Sequence, residues 1–269
     1  MQTTLLILAA GLYLGCAFLS PARATAIAVG TALAWLLHGT TLAADMVAPG
    51  SLRLGFAVVL SATLWVSVVA YWLENRNFAL DGLRVLMLPV AALATVLPLV
   101  FPGSLVSMNG KSPMFAWHIA IAILAYSTLT VAAFHAVLMA LQESRLHSRT
   151  NVPATGWLAI AVERLPALLT MEKLLFRLIA FGFSLLTLTV GSGILFSEQI
   201  FGKPLTWDHK TIFTLLSWVL FGILLAGRRW RGWRGKTALS FTLTGFATLF
   251  LAYVGSRFVL EVVLHRGLT

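Results

Sequence analysis

The chain has 269 residues, of which 59% are apolar and 10% charged, with a formal net charge of +10. A water-soluble globule of this length needs more polar surface, so the composition indicates an integral membrane protein. The surplus of Lys and Arg then reports which loops face which side of the membrane, not a nucleic-acid partner.

Apolar runs lie near residues 3–20, 25–47, 54–73, 83–101, 114–141, 174–196, 210–226 and 238–264. Each is about long enough to cross a hydrocarbon core of roughly 30 Å, the seventh only just. The expectation is an all-α polytopic helix bundle of eight transmembrane helices in a single domain. Ala22-Arg23-Ala24, after the first run, resembles a signal-peptide cleavage site. Such a peptide has its positive charge before the apolar run, whereas this run is preceded by Met-Gln-Thr-Thr, so the run is read as a helix. It contains the single cysteine, Cys16. One thiol permits no internal disulfide, no Cys-x-x-Cys redox pair and no Cys-x-x-Cys-His haem attachment, which excludes a thiol oxidoreductase and a c-type cytochrome. Cys16 reads as a packing residue.

The segments joining helices 1 and 2, 3 and 4, 5 and 6, and 7 and 8 hold Arg23, Arg76, Arg84, Arg145, Arg149, Arg164, Lys173, Arg177, Arg228, Arg229, Arg231, Arg234 and Lys236, thirteen of the 19 basic residues. The other side has Arg53, Lys111, Lys203, Lys210 and Arg266, with Arg257 inside helix 8. This positive-inside bias predicts both termini outside and makes "GRRWRGWRGK" a cytoplasmic anchor with interfacial tryptophans. The long polar stretch from Gln142 to Lys173 becomes a cytoplasmic insertion, read as a short interfacial helix broken at Pro166. No strand signal of weight, internal repeat or low-complexity tract stands out.

Ionisable residues within spans are costly enough to be site candidates. His118, His209 and His265 fall at the outer ends of helices 5, 7 and 8, and His38 about two turns below the outer end of helix 2. His135 is about 25 Å further in than His118 along helix 5. It reads as an interfacial histidine, and His147 as a solvated loop residue. Imidazoles near Trp117, Trp207, Phe213 and Phe258 suit a flat, apolar, iron-bearing macrocycle such as haem better than zinc, which would bring Cys or carboxylates. Tyr253, Arg257, Glu261 and His265 are spaced four apart and share one face of helix 8. Arg257 and Glu261 either neutralise each other or serve a metal site. In the second case Glu261 takes the second ring N–H of His265, and Arg257 meets an anion such as a haem propionate.

At the mouth of helix 7, Trp207, Asp208, His209 and Lys210 stand in a row. Taken singly, Thr206 or Asp208 caps the helix, Lys210 anchors it and Trp207 joins the aromatic belt. Gly191 and Gly193 in "GSG" read as close helix packing. The chain offers no nucleophile–base pair suited to hydrolysis and no phosphate-binding glycine loop, so an enzyme is not expected.

The stretch from Leu174 through "IAFGFSLLTLTVGSGILF", "TWDHKTIFTLLSW", "GWRGKTALSFTLTGF" and "VLHRG" resembles the cytochrome c assembly family of CcsA, CcmC and HemX-like membrane proteins. The family's outer loop has a core of roughly Trp-x-Trp-Asp-Pro-Lys-Glu-Thr-Trp between two histidines that ligate haem. Trp207, Asp208 and Lys210 match this core, His118 in "WHIAIAILAYSTL" matches the first histidine and His265 the second. The resemblance is strong from Trp117 to Arg266, over a core of about 114–266 interrupted by the insertion 142–173, and weak before it. Leu205, His209, Thr211 and Phe213 depart from the loop core, which is similar to the HemX-like branch. The resemblance implies a multi-pass protein of the bacterial inner membrane that handles a non-covalent, b-type haem for cytochrome c maturation or haem transport. His118 and His265 are its implied axial ligands and Trp207 a wall, while His209 and the deeper His38 are rival haem positions. A non-catalytic scaffold that docks another membrane protein, or the apocytochrome c machinery, is the alternative.

Overall fold

The computed structural model describes residues 2–75, 80–147, 162–163, 165–198 and 207–264. In chain order it contains α1 (Gln2–Phe18), α2 (Ala24–Met46), β1 (Val47–Ala48), β2 (Ser51–Leu54), α3 (Phe56–Asn75), α4 (Asp81–Val100), β3 (Ser104–Ser107), α5 (Pro113–His147), α6 (Leu168–Leu195), α7 (His209–Arg231) and α8 (Gly235–Val263). Among the described residues, seven helices are long and apolar enough to cross a membrane, and α1 is a shorter apolar helix of 17 residues. The chain is an all-α, multi-pass helix bundle.

In hydrocarbon, polar side chains have to find partners within the protein, and several here find them on neighbouring helices. Trp35 of α2 and Trp65 of α3 stack with ring centroids 4.8 Å apart. Each indole N–H donates to the other residue's backbone carbonyl, at 3.1 and 3.0 Å. Gly39 makes room, because a Cβ there would stand 2.7 Å from Trp65 Nε1. Arg84 of α4 donates from Nη1 to the Cys16 carbonyl at 2.7 Å and from Nη2 to the Leu19 carbonyl at 3.0 Å. It therefore caps the carbonyl end of α1 with a cation. Arg84 was expected among loop charges; it is buried within α4, its charge met by carbonyls that a charge count does not register.

The carboxyl half packs α5 against α6 and α8, and α7 against α6 and α8. Helix α8 is wound as α-helix over Gly235–Phe250 and Ser256–Phe258, and as π-helix over Leu251–Gly255 and Val259–Val263. Side chains from its neighbours bond its carbonyls before the winding changes: Ser217 Oγ donates to Gly245 at 2.8 Å and Tyr126 Oη to Leu249 at 2.7 Å. Single π-helical turns inside α-helices are frequent at functional sites.

A three-stranded antiparallel sheet, ordered β1-β2-β3, covers one end of the bundle. No strand was expected, since strands of two and four residues are too short for an alternating pattern to register. Leu54 of β2 packs with Val59, Phe115 and the partly buried Tyr253, which seats the sheet over the ends of α3, α5 and α8. Gly103 has φ 72°, and a Cβ there would stand 2.6 Å from the Leu54 carbonyl oxygen, so the approach to β3 requires glycine.

At the opposite end, Glu172 of α6 receives Arg228 at 2.8 Å and Arg234 at 3.3 Å, pinning the turn between α7 and α8. His135, read as an interfacial histidine, is enclosed by protein, with Nδ1 3.2 Å from the Val131 carbonyl oxygen and Nε2 3.6 Å from Glu74 Oε2. The stretch read as an insertion is helical at both ends, because α5 continues to His147 and α6 begins at Leu168, two residues after Pro166. The expected short helix within it lies largely outside the described residues.

Arg84→Leu keeps an apolar stem and removes both bonds to α1. The expected cost is about 2 kcal/mol, read as a lower unfolding midpoint in detergent with helix content retained. An unchanged midpoint would show that the cap contributes nothing.

Candidate functional site

The sheet end collects the start of α5, the end of α6, the start of α7 and the last turns of α8. Pro113 opens α5, a position where its missing N–H costs nothing. His118 follows in the second turn and faces α6, with Nδ1 2.9 Å from Ser192 Oγ. Beside it, Trp117 is 71% exposed.

The row before α7 separates into four roles. Trp207 is 71% exposed. Asp208 is the helix cap, its Oδ1 accepting from the Thr211 backbone N–H at 2.9 Å and from the Thr211 hydroxyl at 3.1 Å. His209, the first residue of α7, is exposed. Lys210 turns inward, and its Nζ lies 5.6 Å from the centroid of the Tyr253 ring on α8. That distance is within cation–π range.

Further along α8, Glu261 reaches across the bundle. Its Oε2 accepts from the Phe56 backbone N–H at 3.4 Å, at the amino end of α3. A helix amino end offers unpaired N–H groups and a partial positive charge, so a carboxylate is favoured there. Phe258 meets Phe56 edge-on, with centroids 5.4 Å apart, and holds the same contact from its apolar side. The other oxygen of Glu261, Oε1, and the Nε of Arg257 are buried with no hydrogen-bond partner among the described residues. Lys210, Tyr253, Arg257 and Glu261 are close enough to act on one another electrostatically.

Of the residues singled out in the sequence, this end therefore brings together His118, Trp207, Asp208, His209, Arg257 and Glu261. His265 and Arg266 lie outside the described residues, as do Lys203, Leu205 and Thr206. His38 stands apart. It is enclosed, with Nε2 2.8 Å from Ser61 Oγ and Nδ1 3.2 Å from Thr95 Oγ1, and its ring lies edge-on to Tyr13. Both ring nitrogens are thus engaged in joining α2 to α3 and α4. Among the described residues no three His, Cys, Asp or Glu side chains converge as a metal site.

Two contacts escaped the sequence. Ser192, the partner of His118, was passed over because "GSG" was read only as packing. The Phe56 N–H that meets Glu261 is a backbone group 205 residues away in the chain, which no side-chain pattern marks.

A profile of the cytochrome C assembly protein family matches residues 3–264, including the amino-terminal part where the resemblance was weak. The inner membrane protein YpjD of Escherichia coli strain K12 is 26% identical over 246 residues, covering 87% of this chain and 86% of that one. The cytochrome c biogenesis protein CcsA of Prochlorococcus marinus is 24% identical over 223 residues, covering 75% of this chain and 70% of that one. An uncharacterized 28.8 kDa protein of Azospirillum brasilense is 30% identical over 216 residues, covering 76% of each chain. No solved structure matches. With nearly its whole length matched, the chain belongs to the cytochrome c assembly protein family.

Proposed function

We propose that this protein serves cytochrome c maturation by binding haem at the outer face of the bacterial inner membrane, where it holds the haem or passes it on. The inner-membrane location draws on the match to YpjD and on the multi-pass bundle. The role in maturation draws on the family and on its CcsA relatives. One observation carries the haem reading: at the rim where His118 sits, Glu261 Oε1 and Arg257 Nε are buried without partners among the described residues, beside Lys210.

These residues fit the group. Haem, when bound, would supply an iron that takes nitrogen ligands and two propionate carboxylates. His118 and His265 would hold the iron, and Glu261 would orient the His265 ring through its second nitrogen. Arg257 and Lys210 would meet the carboxylates. Trp117 and Trp207, both exposed at this end, would cover the macrocycle and keep water from it. Asp208 shapes the entry by fixing the start of α7 and does not contact iron. A second reading, a scaffold of the same fold that docks another membrane protein, draws on Asp208, whose carboxylate already has a full role as a helix cap.

Absorption spectra of detergent-purified protein, from cells supplied with haem precursor, test the proposal. A low-spin haem spectrum is expected for the parent and for His209→Ala, and its loss for His118→Ala and His265→Ala. Haem binding indifferent to both His118 and His265, or absent from the parent, would favour the scaffold. Trp207→Ala should weaken haem retention with the ligation type unchanged; an altered axial-ligand spectrum would contradict the role of Trp207 as a cover.

The outer location has its own test. A reporter active only in the cytoplasm, fused after Thr269, should be silent, whereas strong activity would put the His118 rim on the cytoplasmic side.

A further inference from the structure

Ser192 Oγ lies 3.0 Å from the carbonyl oxygen of Thr189, back along α6, and 2.9 Å from His118 Nδ1. A serine hydroxyl has one hydrogen to give and can accept in return, whereas a carbonyl oxygen can only accept. With the Ser192 hydrogen directed to Thr189, the contact to Nδ1 is made by a hydrogen on the ring. A neutral imidazole has one N–H, so its lone pair is on Nε2.

We propose that Ser192 is a positioning residue for His118, holding it as the Nδ1–H tautomer and fixing the ring angle so that Nε2 presents its lone pair as a ligand. The ligand role rests on the haem reading above; the tautomer does not. The neighbouring residue supports the same geometry: a Cβ at Gly193 would stand 3.5 Å from His118 Cε1, so the α6 backbone borders the ring edge. "GSG" thus supplies an acceptor and a close-fitting wall. The orienting partner is a neutral hydroxyl in series with a carbonyl, not a carboxylate, and so leaves Nε2 less electron-rich than a carboxylate would.

The tautomer is read without haem by nitrogen NMR of haem-free protein labelled with 15N at the histidine rings, with His118→Asn identifying the signals. The parent should show a protonated Nδ1 and an unprotonated Nε2. Ser192→Ala, with helix content confirmed by circular dichroism, should shift population to the Nε2–H form, and Ser192→Thr should retain the parent pattern. An Nε2–H tautomer in the parent, or no change in Ser192→Ala, would overturn the proposal. In haem-loaded protein, Ser192→Ala should weaken haem retention about tenfold and move the reduction potential, with Ser192→Thr restoring both. If the parent shows the Nδ1–H tautomer and takes up no haem, the haem reading fails and the hold of Ser192 on the ring stands. If the parent takes haem through His118 and Ser192→Ala matches it in retention and potential, the positioning role fails and the haem reading stands.

Discussion

Within hydrocarbon a polar group has no water to pair with, so buried hydroxyls, rings and charges in this bundle take partners from the protein itself, on their own helix or on a neighbouring one. That requirement determines how the amino half assembles. The reciprocal indole bonds of Trp35 and Trp65, the His38 junction to Ser61 and Thr95, and the Arg84 cap on α1 each join one helix to another. They fix the position of α3, and with it the backbone N–H of Phe56. Glu261 then docks on that N–H, so the end of α8 depends on the satisfied polar contacts of the first four helices.

The rim at the sheet end differs from this interior. Asp208 closes the start of α7 at Thr211, and that register turns Lys210, two residues on, toward Tyr253. Trp207 and His209 are left on the outside. The row of indole, carboxylate, imidazole and ammonium is therefore a helix start with one residue turned in and two turned out. Beside it, one oxygen of Glu261 is committed to α3 and the other is unpaired among the described residues. The rim is thus part apolar, part cationic and, among the described residues, incompletely paired.

The spans were legible because an unbroken apolar run of about 20 residues matches the hydrocarbon thickness and exceeds what the core of a soluble domain demands. The family loop was legible because Trp207, Asp208 and Lys210 stand in order. The ends of α5 and α6 were not, since Glu143, Arg145 and Glu172 made helical residues resemble a loop. Arg84 was counted with the loops because carbonyl partners do not appear in a charge tally. The β-strands were too short to register. Ser192 was overlooked because its role comes from a neighbouring helix, 74 residues away from His118. His265, the second proposed ligand, rests on the family resemblance alone.

The most direct test of the proposed haem site is the distance from ferric haem iron to a nitroxide, measured by pulsed electron paramagnetic resonance. The label is attached at Lys111→Cys, beside the start of α5, or at Trp230→Cys, exposed near the end of α7 at the other end; the native Cys16 is buried. A haem at the His118 rim predicts a short distance to residue 111 and one greater by about the thickness of the hydrocarbon core, roughly 30 Å, to residue 230. Iron equidistant from the two labels, or nearer residue 230, would contradict the account.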